Sequence, residues 1–207
     1  MRSEAVVFDI GNVLVGWQPE AFYDRVIGEP RRRALFAAVD LHGMNDLIDE
    51  GALFRETIYD WAERHPDWGP EVRMWYDRWI ELASPRIEGS IALLRALRSK
   101  GVPVFALTNF GRHSFDEAVP RLDFLAEFDR HYVSGRMGVI KPDPRIYQMV
   151  EQDCGIAAPA LLFTDDRADN IAAAAARGWR THQFRGWQGW AARLVAEGFL
   201  TEEETGL

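Results

Sequence analysis

The feature that most restricts the fold is a rhythm at the start and in the C-terminal half of the chain. Short apolar runs alternate with helical patterns, and most runs stop at a polar residue. The runs cover residues 5–9, 102–107, 131–134, 161–164 and 179–184. At this length, bounded by Gly, Pro or charge, they suit buried strands. Between them lie helical patterns at 90–99, 115–127, 144–152 and 168–177. Three of these end just before Gly101, Gly155 and Gly178, and glycine past a helix is a common stop signal. Strands and helices in alternation build βαβ units on a parallel sheet. The expected fold is therefore α/β, a Rossmann-like parallel sheet core with helices on both faces.

Residues 17–86 break this rhythm and read as helices only, at 19–27, 30–39, 53–64 and 71–82. Five of the eight tryptophans fall here, at Trp17, Trp61, Trp68, Trp75 and Trp79. The spacing of Trp75 and Trp79 reads as core packing on one helix face. An insertion placed right after the first strand lies over the carboxyl ends of the strands. Residues 1–16 and 87–207 are thus expected to form the core, and 17–86 a small inserted α-helical cap. From Gly186 onward the pattern is one amphipathic helix with Trp190 and Leu194, then an acidic end.

The residues that end the strands carry the chemistry, because open α/β sheets bind ligands at the carboxyl ends of their strands. Asp9 closes the first run. Alone it would read as a turn cap, but a carboxylate there can also attack phosphorus or carbon covalently. Thr108-Asn109 follows Val104-Phe105-Ala106-Leu107, where a hydroxyl and turn amides suit phosphate oxygens. Lys141 precedes Pro142, which biases it toward an extended backbone, and its charge can offset charge developing on a transferred group. Asp165 and Asp166 follow Leu161-Leu162-Phe163-Thr164. Adjacent acids repel unless a cation joins them, and with Asp9 they offer the oxygen ligands that Mg²⁺ prefers. Asp169 and Asn170 extend that polar face and can hold the ligands in place.

Composition narrows the partners. A net charge of -8 opposes nucleic acid, whose binding needs a positive field. Arg31-Arg32-Arg33 reads as a solvated helix face. The single cysteine, Cys154, excludes an internal disulfide and suits a reducing cytoplasm. Acids at Glu4 and Asp9 interrupt the N-terminal apolar stretch, and no run reaches the roughly 20 residues that span a bilayer. The expectation is a cytoplasmic protein with no membrane partner, and its oligomeric state is left open.

In these motifs the chain resembles the haloacid dehalogenase superfamily of hydrolases. The matching segments are Phe8-Asp9-Ile10-Gly11-Asn12-Val13-Leu14, Leu107-Thr108-Asn109, Gly138-Val139-Ile140-Lys141-Pro142-Asp143-Pro144 and Phe163-Thr164-Asp165-Asp166-Arg167-Ala168-Asp169-Asn170. The resemblance implies that Asp9 is a nucleophile forming an aspartyl-phosphate. It implies that the Asp9 carboxylate, the Gly11 carbonyl and Asp166 hold Mg²⁺. Thr108 and Asn109 would bind the phosphoryl group, and Lys141 would steady nucleophile and phosphate. Asp166 is preferred over Asp165 as metal ligand because Asn170, four residues on, matches the supporting position. Asp165 would then brace Lys141 or a metal-bound water.

One departure stands out. Most phosphatases of this superfamily carry a general acid two residues after the nucleophile, where this chain has Gly11. The 2-haloacid dehalogenases of the superfamily also lack that acid, but they dispense with the metal, and their fourth motif is less acidic. The retained Asp165-Asp166 pair favours an Mg²⁺-dependent phosphatase acting on a small phosphorylated metabolite such as a sugar phosphate. The alternatives are a 2-haloacid dehalogenase, or a catalytically weak member that binds a phosphorylated ligand or protein partner. Trp17, Asn45, Asp46 and Arg112 are candidates for substrate contact, with helix packing or capping as their ordinary role.

Overall fold

The computed structural model describes residues 4–206. In chain order the elements are β1 (Ala5–Phe8), β2 (Val15–Trp17), α1 (Pro19–Ile27), α2 (Glu29–Ala38), α3 (Leu41–Asp49), α4 (Phe54–Arg64) and α5 (Gly69–Asp77). They continue with β3 (Ala83–Arg86), α6 (Glu88–Ser99), β4 (Val104–Thr108), α7 (Arg112–Ala118), β5 (Arg130–Val133), α8 (Ser134–Met137) and α9 (Pro144–Cys154). The last are β6 (Leu161–Asp165), α10 (Ala168–Ala176), β7 (Arg180–Gln183), α11 (Trp187–Ala196) and α12 (Glu202–Thr205).

Five strands form one parallel sheet in the order β5-β4-β1-β6-β7. The three central strands are buried throughout, while β7, at an edge, is half-exposed along its length. Their sequences follow this placement: AVVF, VFALT and LLFTD inside, RTHQ at the edge. Side chains alternate between faces along each strand. Val6 and Phe8 belong to a core with Ile91 and Leu94 of α6 and Trp190 and Leu194 of α11. Ala5 and Val7 belong to the opposite one, with Ile146 and Tyr147 of α9 and Ala174 of α10. Helices therefore cover both faces, as a buried parallel sheet requires.

Chain order reverses between β1 and β6. After β1 the chain builds outward through β4 and β5, then returns to add β6 and β7 on the other side. A crevice opens at such a reversal, outside the carboxyl ends of the strands. The register sets Phe8 beside Thr164, and the Asp9 amide donates to the Thr164 carbonyl at 2.9 Å. Asp9 and Asp165 thus leave neighbouring strands side by side at the crevice.

Three expectations need correction. The insertion is not helical only: β2 and β3 pair antiparallel at its two ends, forming a two-stranded neck. A short pair with one bulge lacks the length that makes a strand legible in sequence. Residues 41–49, whose Gly and Asp suit a loop, form helix α3 instead. The Asp40 carboxylate caps it, accepting from the Gly43 amide at 2.8 Å, and Leu41, Met44 and Ile48 bury its other side. The pattern at 115–127 is two pieces, α7 and a 3-10 turn at Asp123–Glu127. Pro120 lies between them, and proline neither donates to a helix nor lets the preceding residue turn freely. The tail adds α12, which Thr201 and Glu204 close with a reciprocal capping box.

Candidate active site

The three strand ends and the helical insertion enclose a cavity of about 390 Å³. Asp9, Thr108, Lys141 and Asp166 line it from the sheet side, and Asn45, Asp49, Trp75 and Trp79 from the insertion. Motifs more than a hundred residues apart in sequence meet here because each strand of the sheet ends on the same edge.

Lys141 organises the sheet side. It is 2% exposed, and its ammonium group spends all three protons on protein acceptors. These are Asp165 Oδ2 at 2.7 Å, Asp9 Oδ1 at 2.9 Å and the Leu107 carbonyl at 2.9 Å. Burial alone would drive its pKa down. The carboxylates of Asp165 and Asp9 outweigh that and hold it above the ordinary lysine value. Asn109 fixes the backbone beneath it: its side-chain amide donates to the Lys141 carbonyl at 2.9 Å and accepts from the Lys141 amide at 2.7 Å. Committed at both ends, the Asn109 side chain is a clamp on the lysine loop and leaves only its main chain for a ligand.

The two adjacent acids are held differently. Asp165 is wholly buried and saturated: Oδ1 accepts from the Arg167 amide at 2.8 Å, Oδ2 from Lys141, and both from Asn170 Nδ2 at 3.0 Å. Asn170 therefore supports Asp165 and not Asp166, and the spacing argument tying it to Asp166 fails. Asp166 is less buried, and its Oδ2 accepts from Asn12 Nδ2 at 3.0 Å. Burial is the main force raising the Asp166 pKa; the Asn12 hydrogen bond opposes it and the charge of Asp165 adds to it.

Asn12 is a site residue that the sequence reading passed over. Its backbone is left-handed, with φ of 55°, a conformation asparagine tolerates better than most residues. Its carbonyl oxygen accepts from the Trp17 amide at 2.9 Å while its amide reaches Asp166. One side chain thus ties the turn after β1, the start of the neck and the fourth motif together. Asparagine directly after glycine in the turn following β1 was the available signal.

Asp9 is 7% exposed. Its Oδ1 accepts from the Ile10 amide at 2.7 Å and from Lys141. Burial pushes its pKa up to about 7; Lys141 opposes the rise, and Asp165 and Asp166 add to it. Carboxylate oxygens of Asp9, Asp165 and Asp166 all lie within 4.8 Å of one another. Three hard oxygen donors at that spacing fit a small divalent cation. A cation there would favour the ionised form of each acid and reverse the trend at Asp9.

On the insertion side, Asp49 ends α3 and is 9% exposed. It accepts from Asn45 Nδ2 at 2.9 Å and from the Gly111 amide. Burial pushes its carboxyl up to about 8, Asp46 adding to the rise, the two hydrogen bonds opposing it and Asp9 adding more distantly. The end of α3 is itself bolted to the core: Ser134 Oγ donates to the Asp49 carbonyl at 2.6 Å and accepts from the Phe110 amide at 2.9 Å. The contact is close enough to need glycine. A Cβ at Gly111 would stand 2.5 Å from Ile48 Cγ2. No sequence signal marked Asp49, which lies in a helix that was read as loop.

Of the candidate substrate contacts, Trp17, Asn45 and Asp46 line the cavity, and Arg112 is not among its lining residues. Trp75 and Trp79 do both jobs: each is at least 96% buried and each also faces the cavity. The basic run is solvated only in part: Arg33 is exposed and pairs with Glu29, Arg32 is half-buried against Asp24, and Arg31 reaches buried Glu71. Among the described residues no helix is long and apolar enough to cross a membrane.

Comparison with known proteins agrees with this geometry. The chain is 28% identical over 183 residues to drimenol cyclase drtB of Aspergillus calidoustus, covering 87% of this chain and 34% of that protein. It is 32% identical over 77 residues to (S)-2-haloacid dehalogenase H-109 of Pseudomonas putida, 37% of this chain and 34% of the relative. It is 32% identical over 87 residues to sesquiterpene phosphatase astK of Aspergillus oryzae, 42% of this chain and 44% of the relative. The matches span between about a third and just under half the length of these curated relatives.

The fold recurs in a HAD-family enzyme of Bacteroides thetaiotaomicron solved with magnesium and inorganic phosphate. Its TM-score is 0.69 at 20% identity, with 89% of this chain and 95% of that chain covered. It recurs also in L-2-haloacid dehalogenase from Xanthobacter autotrophicus, with a TM-score of 0.63 at 19% identity, 98% and 86% covered. A sequence model of the haloacid dehalogenase-like hydrolases matches residues 4–178. With its motifs gathered at the carboxyl edge of a five-stranded parallel sheet, this chain belongs to the haloacid dehalogenase-like hydrolases.

Proposed function

We propose that the protein is an Mg²⁺-dependent phosphatase of a small phosphorylated metabolite, with Asp9 as nucleophile and residues 17–86 as a cap over the site. The observation that carries this reading is the charge count at the strand ends. Three carboxylates, Asp9, Asp165 and Asp166, share one ammonium, that of Lys141. A divalent cation cancels the excess and admits an anionic phosphoryl group. Halide expulsion from a haloacid has no use for the extra acid. Asp9, Asp166 and the Gly11 carbonyl would hold the cation, since Asp165 is already saturated by Lys141, Asn170 and the Arg167 amide. When bound, Mg²⁺ supplies charge neutralisation at the phosphoryl oxygens.

The residues of the chain divide the remaining work. Lys141 holds Oδ1 of Asp9 at 2.9 Å, leaving the second carboxylate oxygen for attack or for the cation. Thr108 and the main-chain amides of the following turn receive phosphoryl oxygens. The opposite walls, with Trp17, Trp75 and Trp79 as aromatic faces and Glu20 and Asp46 as acceptors, suit a leaving group of sugar size. The solved Bacteroides relative with magnesium and phosphate and the relative named a sesquiterpene phosphatase support a phosphate ester.

Gly11 and the similarity to (S)-2-haloacid dehalogenases favour a second reading, dehalogenation, because a leaving halide needs no proton. Phosphate release from 4-nitrophenyl phosphate and glucose 1-phosphate, with and without Mg²⁺, separates the two. Turnover that requires both Mg²⁺ and Asp9, lost in Asp9→Asn, is the expected result. Chloride release from 2-chloropropionate in the presence of a chelator would replace the phosphatase with the dehalogenase.

A further inference from the structure

We propose that Asp49, at the end of α3, is the proton donor to the leaving group, supplying from the insertion the acid that the turn after Asp9 lacks. This rests on the phosphatase reading above. Gly11 has no side chain to give a proton, and expelling an alkoxide unprotonated is slow; general acid catalysis is typically worth about 10²–10⁴-fold.

The cavity contains few groups able to fill the role. Lys141 has all three protons committed to Leu107, Asp9 and Asp165. Asp166 is bound by Asn12 and belongs to the acidic trio. Arg167 is paired with Asp169. His42 and Glu20 pair with each other at 3.0 Å, their side chains roughly half exposed. Asp49 differs from all of these. It faces the cavity, it is buried, and its hydrogen-bond partners are the neutral amides of Asn45 and Gly111. The charges acting on it are those of Asp46 on its own helix and Asp9 across the cavity, both negative. Every one of these influences but the two hydrogen bonds keeps the proton on.

Its placement is also built. Asn45 is held from behind by Trp75 Nε1 at 3.2 Å, so a chain of hydrogen bonds runs from the indole to the Asp49 carboxyl. Ser134 and Gly111 pin the end of α3 against the loop that carries Thr108 and Asn109. Asp49 therefore lines the cavity from the insertion, while Asp9 lines it from the sheet side.

The step balances as follows. An oxygen of Asp9 forms a bond to phosphorus while the phosphorus–ester oxygen bond breaks. The bonding pair goes to the ester oxygen, which takes the Asp49 proton and leaves as the alcohol. Water then attacks the aspartyl-phosphate, the phosphorus–Asp9 bond breaks, and the water's proton returns to the Asp49 carboxylate.

The test uses two esters of similar shape. 4-Nitrophenol leaves readily as an anion, whereas phenol, ionising near tyrosine's value of about 10, needs help. Asp49→Asn is expected to lower kcat/KM for phenyl phosphate by about 10²–10⁴-fold and for 4-nitrophenyl phosphate by less than about threefold. A Cβ at Gly11 meets only Trp17 Cβ at 3.8 Å, an ordinary contact, so the double variant Gly11→Asp, Asp49→Asn should recover phenyl phosphate turnover. Equal loss on both esters, with no recovery in the double variant, would make Asp49 a structural residue and overturn the proposal. So would no loss on either ester. If the wild-type protein with Mg²⁺ hydrolyses neither ester, the phosphatase reading itself falls. Hydrolysis that needs Asp9 but ignores Asp49 removes only the donor.

Discussion

On the sheet side of the cavity, buried Asp165 meets the Lys141 ammonium at 2.7 Å. On the insertion side, Asp49, also buried, meets only amides. The two acids share burial and differ in the charge of their partner, and that difference sets what each can do. Asp165 anchors a lysine that orients Asp9. Asp49 is pushed up to about 8 by burial and by Asp46, so it carries a proton at neutral pH. Burial without a counter-charge makes an acid a donor; burial with one makes it a strut.

The comparison breaks most visibly if its central pair is cut. Lys141→Met leaves Asp9 and Asp165 buried without a cation, and losing one partner of a buried pair costs about 3–5 kcal/mol. Urea unfolding should show that loss, and phosphate release should vanish even where the variant is folded. Removing the opposite acid should act with the other sign. Below the unfolded carboxylate pKa both states hold the Asp49 proton, and no difference arises. As pH rises toward about 8 the unfolded chain ionises while the folded protein keeps its proton. The contribution of Asp49 to stability therefore falls across that window, by at most about 1.4 kcal/mol per pH unit. Asp49→Asn should melt at a higher temperature than wild type at pH 8, with the gap closing toward pH 4.

A smaller effect probes how the two sides are joined. Gly111→Ala places a methyl 2.5 Å from Ile48 Cγ2, and overpacking of that kind costs about 1–3 kcal/mol. It should also weaken the leaving-group selectivity assigned to Asp49, which the ratio of the two aryl phosphates would read. The smallest effect lies outside the cavity. Arg33→Ala removes an exposed pair with Glu29 and should change the unfolding free energy from urea titration by less than about 0.5 kcal/mol.

The sheet was readable because its signal is local. VFALT and LLFTD are apolar until they end in polar residues, and a parallel sheet buried on both faces demands such runs. The neck was not readable, since three residues in β2 and four in β3 gain their strand character only from each other. Helix α3 keeps its apolar positions at Leu41, Met44 and Ile48, but it is only nine residues long and its Gly43 and Asp46 carry the composition of a loop. At the site, Asp9, Thr108 and Asp166 stand at strand ends as expected, whereas Lys141 lies past α8, in the loop before α9. Asn109 was read as a contact for phosphate, but its side chain clamps Lys141, a role that depends on a residue 32 positions away.

By itself the sequence determined the alternation of strands and helices and the acids and hydroxyl that follow the apolar runs. Each of these is a property of a residue and its near neighbours, which periodicity and residue type report directly. Tertiary structure alone decided which acid Lys141 grips, that Asn12 reaches Asp166 across 154 positions, and that Ser134 seats Asp49 across 85. Contacts at such separations leave no period in the chain. They exist only because the sheet brings its strand ends to one edge and the neck returns the insertion over it.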